Sequence, residues 1–381
     1  MIDFEIITTD ENARRGVLHT PHGPVQTPVF MPVGTNATVK MVAPDRLAET
    51  GTTIILSNAY HLALRPGEEV VRRLGGLHRF MNWGGPIITD SGGFQVLSLA
   101  KLRRVDDVGV RFQSHVDGSA ILLTPERSIE IQNALGADIV MCFDECVSYP
   151  VEHYAARKAM ERTLTWARRC RDTHREAEAR GPAGPAANEF EQALFGIVQG
   201  SVFPDLRAEC ADRLTEMDFP GYALGGCSVG EGPELMNEVI ELTLPHLPSG
   251  KPRYLMGVGA PEDILEAVER GIDMFDCVMP TRNARGACAF SSRGKVRLRN
   301  LQYRLSDDPI DDECDCYACR NFCRGYLRHL FNVKESLAAI LTSIHNIRFY
   351  QKMMEGIRAA IIKQEFREFK QGFLGHYRSD V

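Results

Sequence analysis

The sequence predicts a (β/α)8 barrel, the TIM-barrel class, with a zinc-binding segment appended near the C-terminal end. Eight short runs are apolar throughout, and most are followed by a segment that can form a helix. Strands buried on both faces of a parallel sheet have this composition, and eight of them alternating with helices are enough to close a barrel. A third observation is a group of closely spaced cysteines after the last run.

The apolar runs share a second property: each ends in a polar residue or a glycine or is directly followed by one. They occupy residues 29–33, 53–57, 86–90, 138–144, 194–199, 222–225, 253–257 and 272–276. An open, doubly wound sheet can also hold eight strands. The barrel is favoured because the functional-looking residues that end the runs come from all round the chain, whereas an open sheet collects them at one switch point.

The length of 381 residues suits one large barrel with an added piece. We predict a catalytic barrel at residues 1–305 and, at residues 306–381, a zinc-binding subdomain whose C-terminal helices pack on the barrel. Residues 105–124 alternate weakly and contain an Asp117-Gly118 turn signal, so they are expected to form an inserted antiparallel hairpin. The Gly/Pro-rich stretch at 180–188 is expected to be an exposed loop.

Charge is distributed unevenly along the chain. The net charge is −6, so the whole chain is not a general nucleic-acid binder, yet residues 277–306 contain seven basic residues and no acid. The basic residues are Arg282, Arg285, Arg293, Lys295, Arg297, Arg299 and Arg304. This imbalance predicts a local site for a polyanion.

Targeting signals are not apparent in the sequence. The N-terminal residues lack the basic start and apolar core of a signal peptide, and no apolar run has the length of a membrane span. The eleven cysteines lack the spacing of a disulfide framework, which indicates a reducing compartment. The sequence therefore predicts a cytoplasmic protein with no membrane partner.

Carboxylates stand at the ends of three apolar runs, at Asp90, Asp144 and Asp276. In a (β/α)8 barrel the C-terminal strand ends form the active site, so these acids are expected to face one pocket. The alternative is that some of them, such as Asp90, merely cap the next helix, and for Asp276 that it is a strand-end carboxylate satisfied by neighbouring amides. Asp276 stands out, because an acid inside an apolar run is costly unless it is paired or functional, and the basic tract follows it directly.

Cys314, Cys316 and Cys319 predict a structural zinc site, because closely spaced thiolates suit tetrahedral Zn²⁺. The chemistry leaves two candidates for the fourth ligand, Cys323 and His345. His345 follows a pattern that resembles a helix start, with Asn332 as the N-cap and a glutamate at the capping-box position. It is expected at the edge of an apolar stripe on that helix.

Taken together, these motifs resemble the bacterial tRNA-guanine transglycosylases over essentially the full chain. The resemblance rests on SNAYHL at 57–62, DSGGFQ at 90–95, FDEC at 143–146, GIVQG at 196–200, GG at 225–226, YLMGVG at 254–259, MFDC at 274–277, PTRNAR at 280–285 and the Cys-x-Cys-x2-Cys-x25-His spacing. It implies a barrel with one structural zinc per subunit, usually homodimeric. It also implies exchange of the wobble guanine of certain tRNAs for a 7-deazaguanine, in queuosine biosynthesis.

The resemblance also implies roles for particular residues. Asp276 would be the nucleophile and Asp90 the general acid/base, as two displacements at one sugar carbon require. The base would be bound by Asp90, Ser91, Phe94, Asp144, Cys146, Gln199, Gly225, Gly226 and Met256. The tRNA would be bound by Gly257, Val258, Gly259, Thr281, Arg282, Asn283 and Arg285. The metal ligands would be Cys314, Cys316, Cys319 and His345, and the carboxylates would be oriented by Asn58, His61 and Gln95.

The incoming base is expected to be 7-aminomethyl-7-deazaguanine (preQ1), because Cys146 and Val229 resemble the bacterial pocket. The tRNAs would be those for Asp, Asn, His and Tyr, which have GUN anticodons. Cys227-Ser228 departs from the usual Leu-Ala of bacterial members, so direct use of queuine is the alternative. Two further alternatives are a non-catalytic tRNA-binding zinc subunit, which retention of Asp90 and Asp276 disfavours, and a small-glycoside hydrolase, which the basic tract disfavours.

Overall fold

A computed structural model describes residues 2–94, 103–114, 116–180 and 190–377. Gln95 and residues 181–188 of the predicted loop lie outside these ranges. The strands are β1 Asp3–Asp10, β2 Ala13–Thr20, β3 Gly23–Thr27, β4 Val29–Pro32, β5 Ile55–Asn58, β6 Ile87–Asp90, β7 Arg103–Val105, β8 Val110–Gln113, β9 Ala120–Leu123, β10 Ile139–Met141, β11 Ala193–Val198, β12 Tyr222–Leu224, β13 Arg253–Leu255, β14 Met274–Cys277, β15 Cys288–Ser291 and β16 Gly294–Arg297.

The helices follow the barrel strands and then form the C-terminal part. They are α1 Pro44–Glu49, α2 Ala59–Leu64, α3 Glu68–Arg73, α4 Gly76–Met81, α5 Pro125–Leu135, α6 His153–Arg180, α7 Pro204–Thr215, α8 Pro233–Thr243, α9 Pro261–Glu269, α10 Met279–Arg285, α11 Tyr317–Asn321, α12 Arg324–Asn332, α13 Ser336–Lys363 and α14 Phe366–His376. Short 3₁₀ helices occur at Leu244–His246 and Leu301–Leu305. No helix in the described ranges is long and apolar enough to cross a membrane.

Eight parallel strands form the central sheet in the order β4-β14-β13-β12-β11-β10-β6-β5. A parallel bridge between Val33 and Leu56 joins the two ends of this order and closes the barrel. All eight predicted strands are therefore present, and the prediction of a barrel instead of an open sheet is confirmed.

Alternate residues of the barrel strands enter two separate apolar cores. Met31, Tyr254 and Met274 pack inside the barrel, whereas Phe30 and Phe275, their neighbours in the chain, pack outward against the helices. Both faces of the strands are buried, which explains why the runs are apolar without alternation. The polar strand ends are thus left to point out of the barrel mouth.

An antiparallel sheet of β1, β2 and β3 covers the N-terminal end of the barrel, and the sequence did not predict it. Leu18 and Val25 pack with the residues inside the barrel. Arg14 of β2 forms a buried ion pair with Asp273, which directly precedes β14. This sheet closes the end of the barrel opposite the three strand-end carboxylates.

The segment expected to contain an inserted hairpin forms a three-stranded antiparallel sheet of β7, β8 and β9. Strands β8 and β9 pair from Val110↔Leu123 to Gln113↔Ala120, on either side of Asp117-Gly118. The preceding strand β7 is an addition to the predicted pair. The division of the chain into units at residue 305 remains a prediction.

The C-terminal part contains the hairpin β15–β16 and the helices α11 to α14. The predicted capping box is wrong, because Asn332 ends α12 and Glu335 precedes α13 without a side-chain capping bond. His345 is fully buried, not at the edge of an apolar face. Several elements pack around helix α13, so buried residues occur on most sides of this helix and not on one apolar face.

Candidate active site and zinc centre

Asp276 lies near the C-terminal end of β14, where two donors hold one of its carboxylate oxygens. The Tyr254 hydroxyl donates to Oδ1 at 2.5 Å, and the Gly257 backbone N–H donates to the same atom at 2.8 Å. Burial raises the pKa of Asp276, and the two hydrogen bonds oppose that rise. Within the described ranges Oδ2 has no hydrogen-bond partner, so it is the oxygen available to a ligand.

Asp90 is held from the neighbouring strand β5, which places Asn58 beside it in the sheet register. The Asn58 side-chain amide donates to Oδ2, and the Ala59 backbone N–H donates to Oδ1 at 2.9 Å. Burial raises the pKa of Tyr254, and the charges of Asp276 and Asp90 raise it further. Tyr254 therefore remains a protonated donor to Asp276.

Asp144 lies just beyond β10 and is almost fully buried. The Gln199 amide donates to its Oδ2 at 2.7 Å, and the Ser91 hydroxyl donates to Oδ1 at 3.2 Å. Burial raises the pKa of Asp144 to about 6, although these hydrogen bonds lower it. The three predicted carboxylates thus lie at barrel strand ends, each held by defined donors.

Gly225 and Gly226 pass close to the Gln199 side chain. A Cβ at Gly225 would lie 2.6 Å from Gln199 Nε2, and one at Gly226 would lie 2.6 Å from Oε1. Gly226 also has a positive φ of 67°, which favours glycine. These positions need glycine so that the backbone can approach the amide.

The remaining predicted base-binding side chains differ in exposure. Phe94 is 53% exposed, whereas Met256 is half-buried against the inner barrel core. Cys146 and Cys227 are buried, and burial raises the pKa of Cys146 to about 12, so its thiol is neutral. The Glu231 carboxylate accepts hydrogen bonds from the Ser228 and Val229 backbone N–H groups.

The basic tract follows Asp276 into helix α10 and the hairpin β15–β16. Arg282 is exposed and Arg285 is half-buried, and burial lowers the pKa of Arg285 with a further contribution from Arg282. Within the described ranges, none of the seven basic side chains forms an ion pair. The side chains of Val258 and Thr281 are buried, so these two predicted tRNA-binding positions offer mainly backbone atoms.

Cys314, Cys316, Cys319 and His345 form a cluster whose potential ligand atoms all lie within 4.8 Å of one another. His345 Nδ1 lies 3.2 Å from Cys319 Sγ and 3.6 Å from Cys316 Sγ. Three sulfurs and one imidazole at these separations fit a tetrahedral structural zinc. An ion there would cross-link the cysteine loop to helix α13.

Cys323 is not part of this cluster. Its sulfur accepts a hydrogen bond from the Tyr326 backbone N–H at 3.4 Å and caps α12.

The other ring nitrogen of His345, Nε2, lies 2.5 Å from the Phe290 carbonyl oxygen. Donation to that carbonyl leaves Nδ1 facing the sulfurs, as is usual for a metal-bound histidine.

A second polar cluster at the opposite end of the barrel was not predicted. Asp138 Oδ1 lies 2.8 Å from His22 Nδ1, and its Oδ2 lies 3.1 Å from His78 Nε2 and accepts the Ile87 N–H at 2.8 Å. The imidazole rings stack with centroids 3.6 Å apart and planes 13° apart. One ion cannot lie in the planes of two parallel rings at that spacing, so we interpret the cluster as a hydrogen-bonded clamp.

These features define a (β/α)8-barrel protein with three held carboxylates at its mouth, an unpaired basic surface beside them and a separate Cys3His centre. The family model for queuine tRNA-ribosyltransferase matches residues 9–379. The chain belongs to this family, which confirms the resemblance seen in the sequence.

Several bacterial relatives carry the same name, queuine tRNA-ribosyltransferase. The protein of Caldanaerobacter subterraneus subsp. tengcongensis is 54% identical over 378 residues, which are 99% of this chain and 98% of the relative. That of Pelotomaculum thermopropionicum is 53% identical over the whole of both chains. That of Lysinibacillus sphaericus is 48% identical over 378 residues, 99% of this chain and 96% of the relative.

Proposed function

We propose that the protein is a tRNA-guanine transglycosylase that replaces the wobble guanine of GUN anticodons with preQ1. The observation that carries this proposal is the setting of Asp276. Two donors hold its Oδ1, its Oδ2 is open to a ligand, and an unpaired basic surface begins a few residues later. A carboxylate nucleophile beside a polyanion site fits a reaction at a tRNA ribose.

The reaction would take place in two displacements at the same carbon. Asp276 Oδ2 forms a bond to C1′ of the ribose as the bond from C1′ to the guanine nitrogen breaks, and Asp90 gives the departing base its proton. The incoming base then returns a proton to Asp90 as its ring nitrogen displaces the carboxylate. Two inversions retain the configuration of the sugar.

Base recognition would rest on Asp144. An ionised carboxylate accepts hydrogen bonds from the ring N–H and exocyclic amine of a guanine-like base, and Gln199 with the Gly226 backbone would complete the contacts. Phe94 and Met256 would contact the faces of the base. The target guanosine must leave its stack to reach this pocket.

The tRNA would be held by the basic surface, with Arg282 and Arg285 nearest the wobble nucleotide. Phosphate contacts of this kind make affinity fall as salt rises. We further propose one structural Zn²⁺ per subunit, a homodimer and a cytoplasmic location, as expected for an enzyme of tRNA maturation.

Base exchange tests the proposal directly. The protein should incorporate labelled guanine, and then preQ1, at position 34 of tRNAs for Asp, Asn, His and Tyr. In a competition assay preQ1 should displace labelled guanine at a lower concentration than queuine does. Equal or better use of queuine would favour the alternative, which the small, buried Cys227 at the pocket edge supports.

The pKa of Asp144 predicts how base binding changes with pH. Burial raises the pKa of Asp144 from 3.8 to about 6. The contribution of the Asp144 carboxyl to folding stability is therefore fully present below pH 3.8 and is lost as pH rises through 6. Base binding needs the ionised form, so it follows the opposite trend. The KM for guanine should be about tenfold higher at pH 5 than at pH 7.

Measuring guanine KM between pH 5 and 8 for the wild type and Asp144→Asn checks this prediction. The variant should bind guanine weakly with a flat profile, because it has no carboxylate to protonate. A wild-type KM that does not change between pH 5 and 7 would remove Asp144 from base recognition.

A further inference from the structure

Two neighbouring residues of helix α13 hold the first strand of the basic hairpin. His345, in the Cys3His cluster, reaches the Phe290 carbonyl oxygen, and Asn346 Oδ1 accepts the Phe290 N–H at 3.0 Å. Both side chains are fully buried. The backbone of Phe290 is therefore fixed from the same helix at both of its polar groups.

Asn346 makes two additional contacts with the segment that follows Asp276. Its Nδ2 donates to the Pro280 carbonyl oxygen at 2.9 Å and to the Cys288 carbonyl oxygen at 3.1 Å. Pro280 lies in the first turn of α10, and Cys288 is the first residue of β15. The buried amide thus joins the start of α10 to the start of the hairpin.

One turn further along α13, Tyr350 extends this line of contacts to the barrel mouth. Its hydroxyl donates to the Gly259 carbonyl oxygen at 2.5 Å. Gly259 belongs to the loop after β13 whose Gly257 N–H holds Asp276. Helix α13 therefore contacts both segments that lie beside the nucleophile.

We propose that Asn346 is a positioning residue for tRNA. It holds α10, which carries Arg282 and Arg285, at a fixed distance from Asp276. When the arginines bind the tRNA phosphates, the ribose to be attacked then lies next to the Asp276 carboxylate. This inference rests on the proposed function. It adds a role for a residue that contacts neither tRNA nor base.

The physical reason is that Asn346 satisfies three backbone groups, through two fully buried hydrogen bonds and one that is partly buried. Removing the amide leaves buried polar groups unpaired, and the segment 280–290 must shift to recover partners. A shift of about 1 Å in a substrate-holding segment can cost as much as about 100-fold in rate. The guanine pocket at Asp144 and Gln199 is on other strands and should not change.

Asn346→Leu tests the proposal, with Thr342→Val as the matched control. Thr342 is fully buried on the same helix, but its hydroxyl donates only to Ala338 within that helix. In labelled-guanine exchange, Asn346→Leu should raise the KM for tRNA about tenfold while the KM for guanine changes less than about twofold. Zinc content should equal that of the wild type, and Thr342→Val should match the wild type throughout.

Asn346→Asp provides a second variant if the leucine does not fold. It keeps an acceptor for the Phe290 N–H and removes both donors, so the same rise in tRNA KM is expected. An unchanged tRNA KM, an equal rise in both KM values, or loss of zinc in both variants would overturn the inference. Failure of the wild type to exchange guanine would instead overturn the proposed function.

Discussion

Asp276→Asn is expected to abolish guanine exchange. Asparagine has nearly the same shape, and its carbonyl oxygen can still accept from Tyr254 and Gly257, so the fold should be retained. An amide cannot form the proposed covalent bond to the ribose, however. We expect a loss of at least about 1000-fold, as for other covalent nucleophiles.

Two measurements check this result. Incorporation of labelled guanine into tRNA should fall to background. The covalent complex of protein and tRNA that we expect for the wild type under denaturing conditions should be absent. Asp45→Asn on the exposed surface of α1 is the control for the change in charge and should behave as the wild type. Exchange by Asp276→Asn at the wild-type rate would refute the nucleophile assignment.

Loss of the proposed zinc site should have the second large effect. His345→Ala removes one of the four clustered side chains that could bind the metal, and also the contact with Phe290. Zinc sites contribute about 10–16 kcal/mol in small zinc-finger peptides, and a larger chain retains other contacts. We expect zinc content near zero and a Tm lower by roughly 5–10 °C.

Cys323→Ser is the matched comparison, because Cys323 is close in sequence but only caps α12. It should keep one zinc per chain and nearly the wild-type Tm. Metal analysis of the purified variants with thermal unfolding separates the two cases. Full zinc retention in His345→Ala, or zinc loss in Cys323→Ser, would contradict the ligand assignment made from the structure.

The barrel could be predicted from the sequence because its strands are buried on both faces and therefore apolar without interruption. The sheet at β1 to β3 could not, because β1 alternates between exposed and half-buried residues and β2 includes the buried Arg14. Such a strand carries a weak signal in a single sequence. The capping pattern at Asn332 was misleading because tertiary packing, not local capping, fixes where α13 begins.

The candidate site was predicted in part. Acids at strand ends are visible in sequence, and so is the cysteine spacing. Of the donors that orient the acids, Asn58 was expected from the resemblance, and it does donate to Asp90. Tyr254 was not expected, because it lies inside an ordinary apolar run and reaches Asp276 only through strand pairing. The His22–Asp138–His78 clamp is likewise invisible, since residues 116 and 60 positions apart give no local pattern.

The position of α13 has a consequence for how the chain folds. Strands β4 and β14 are far apart in sequence but lie side by side in the barrel. Helix α13 is anchored on β4, because Gln351 donates a hydrogen bond to the Phe30 carbonyl oxygen at 3.0 Å, 321 positions away. Arg358 donates to the Pro28 carbonyl oxygen over 330 positions. Contacts of such separation form late, because a long loop must close first. During synthesis α13 would thus reach its place against β4 only after nearly the whole chain has left the ribosome.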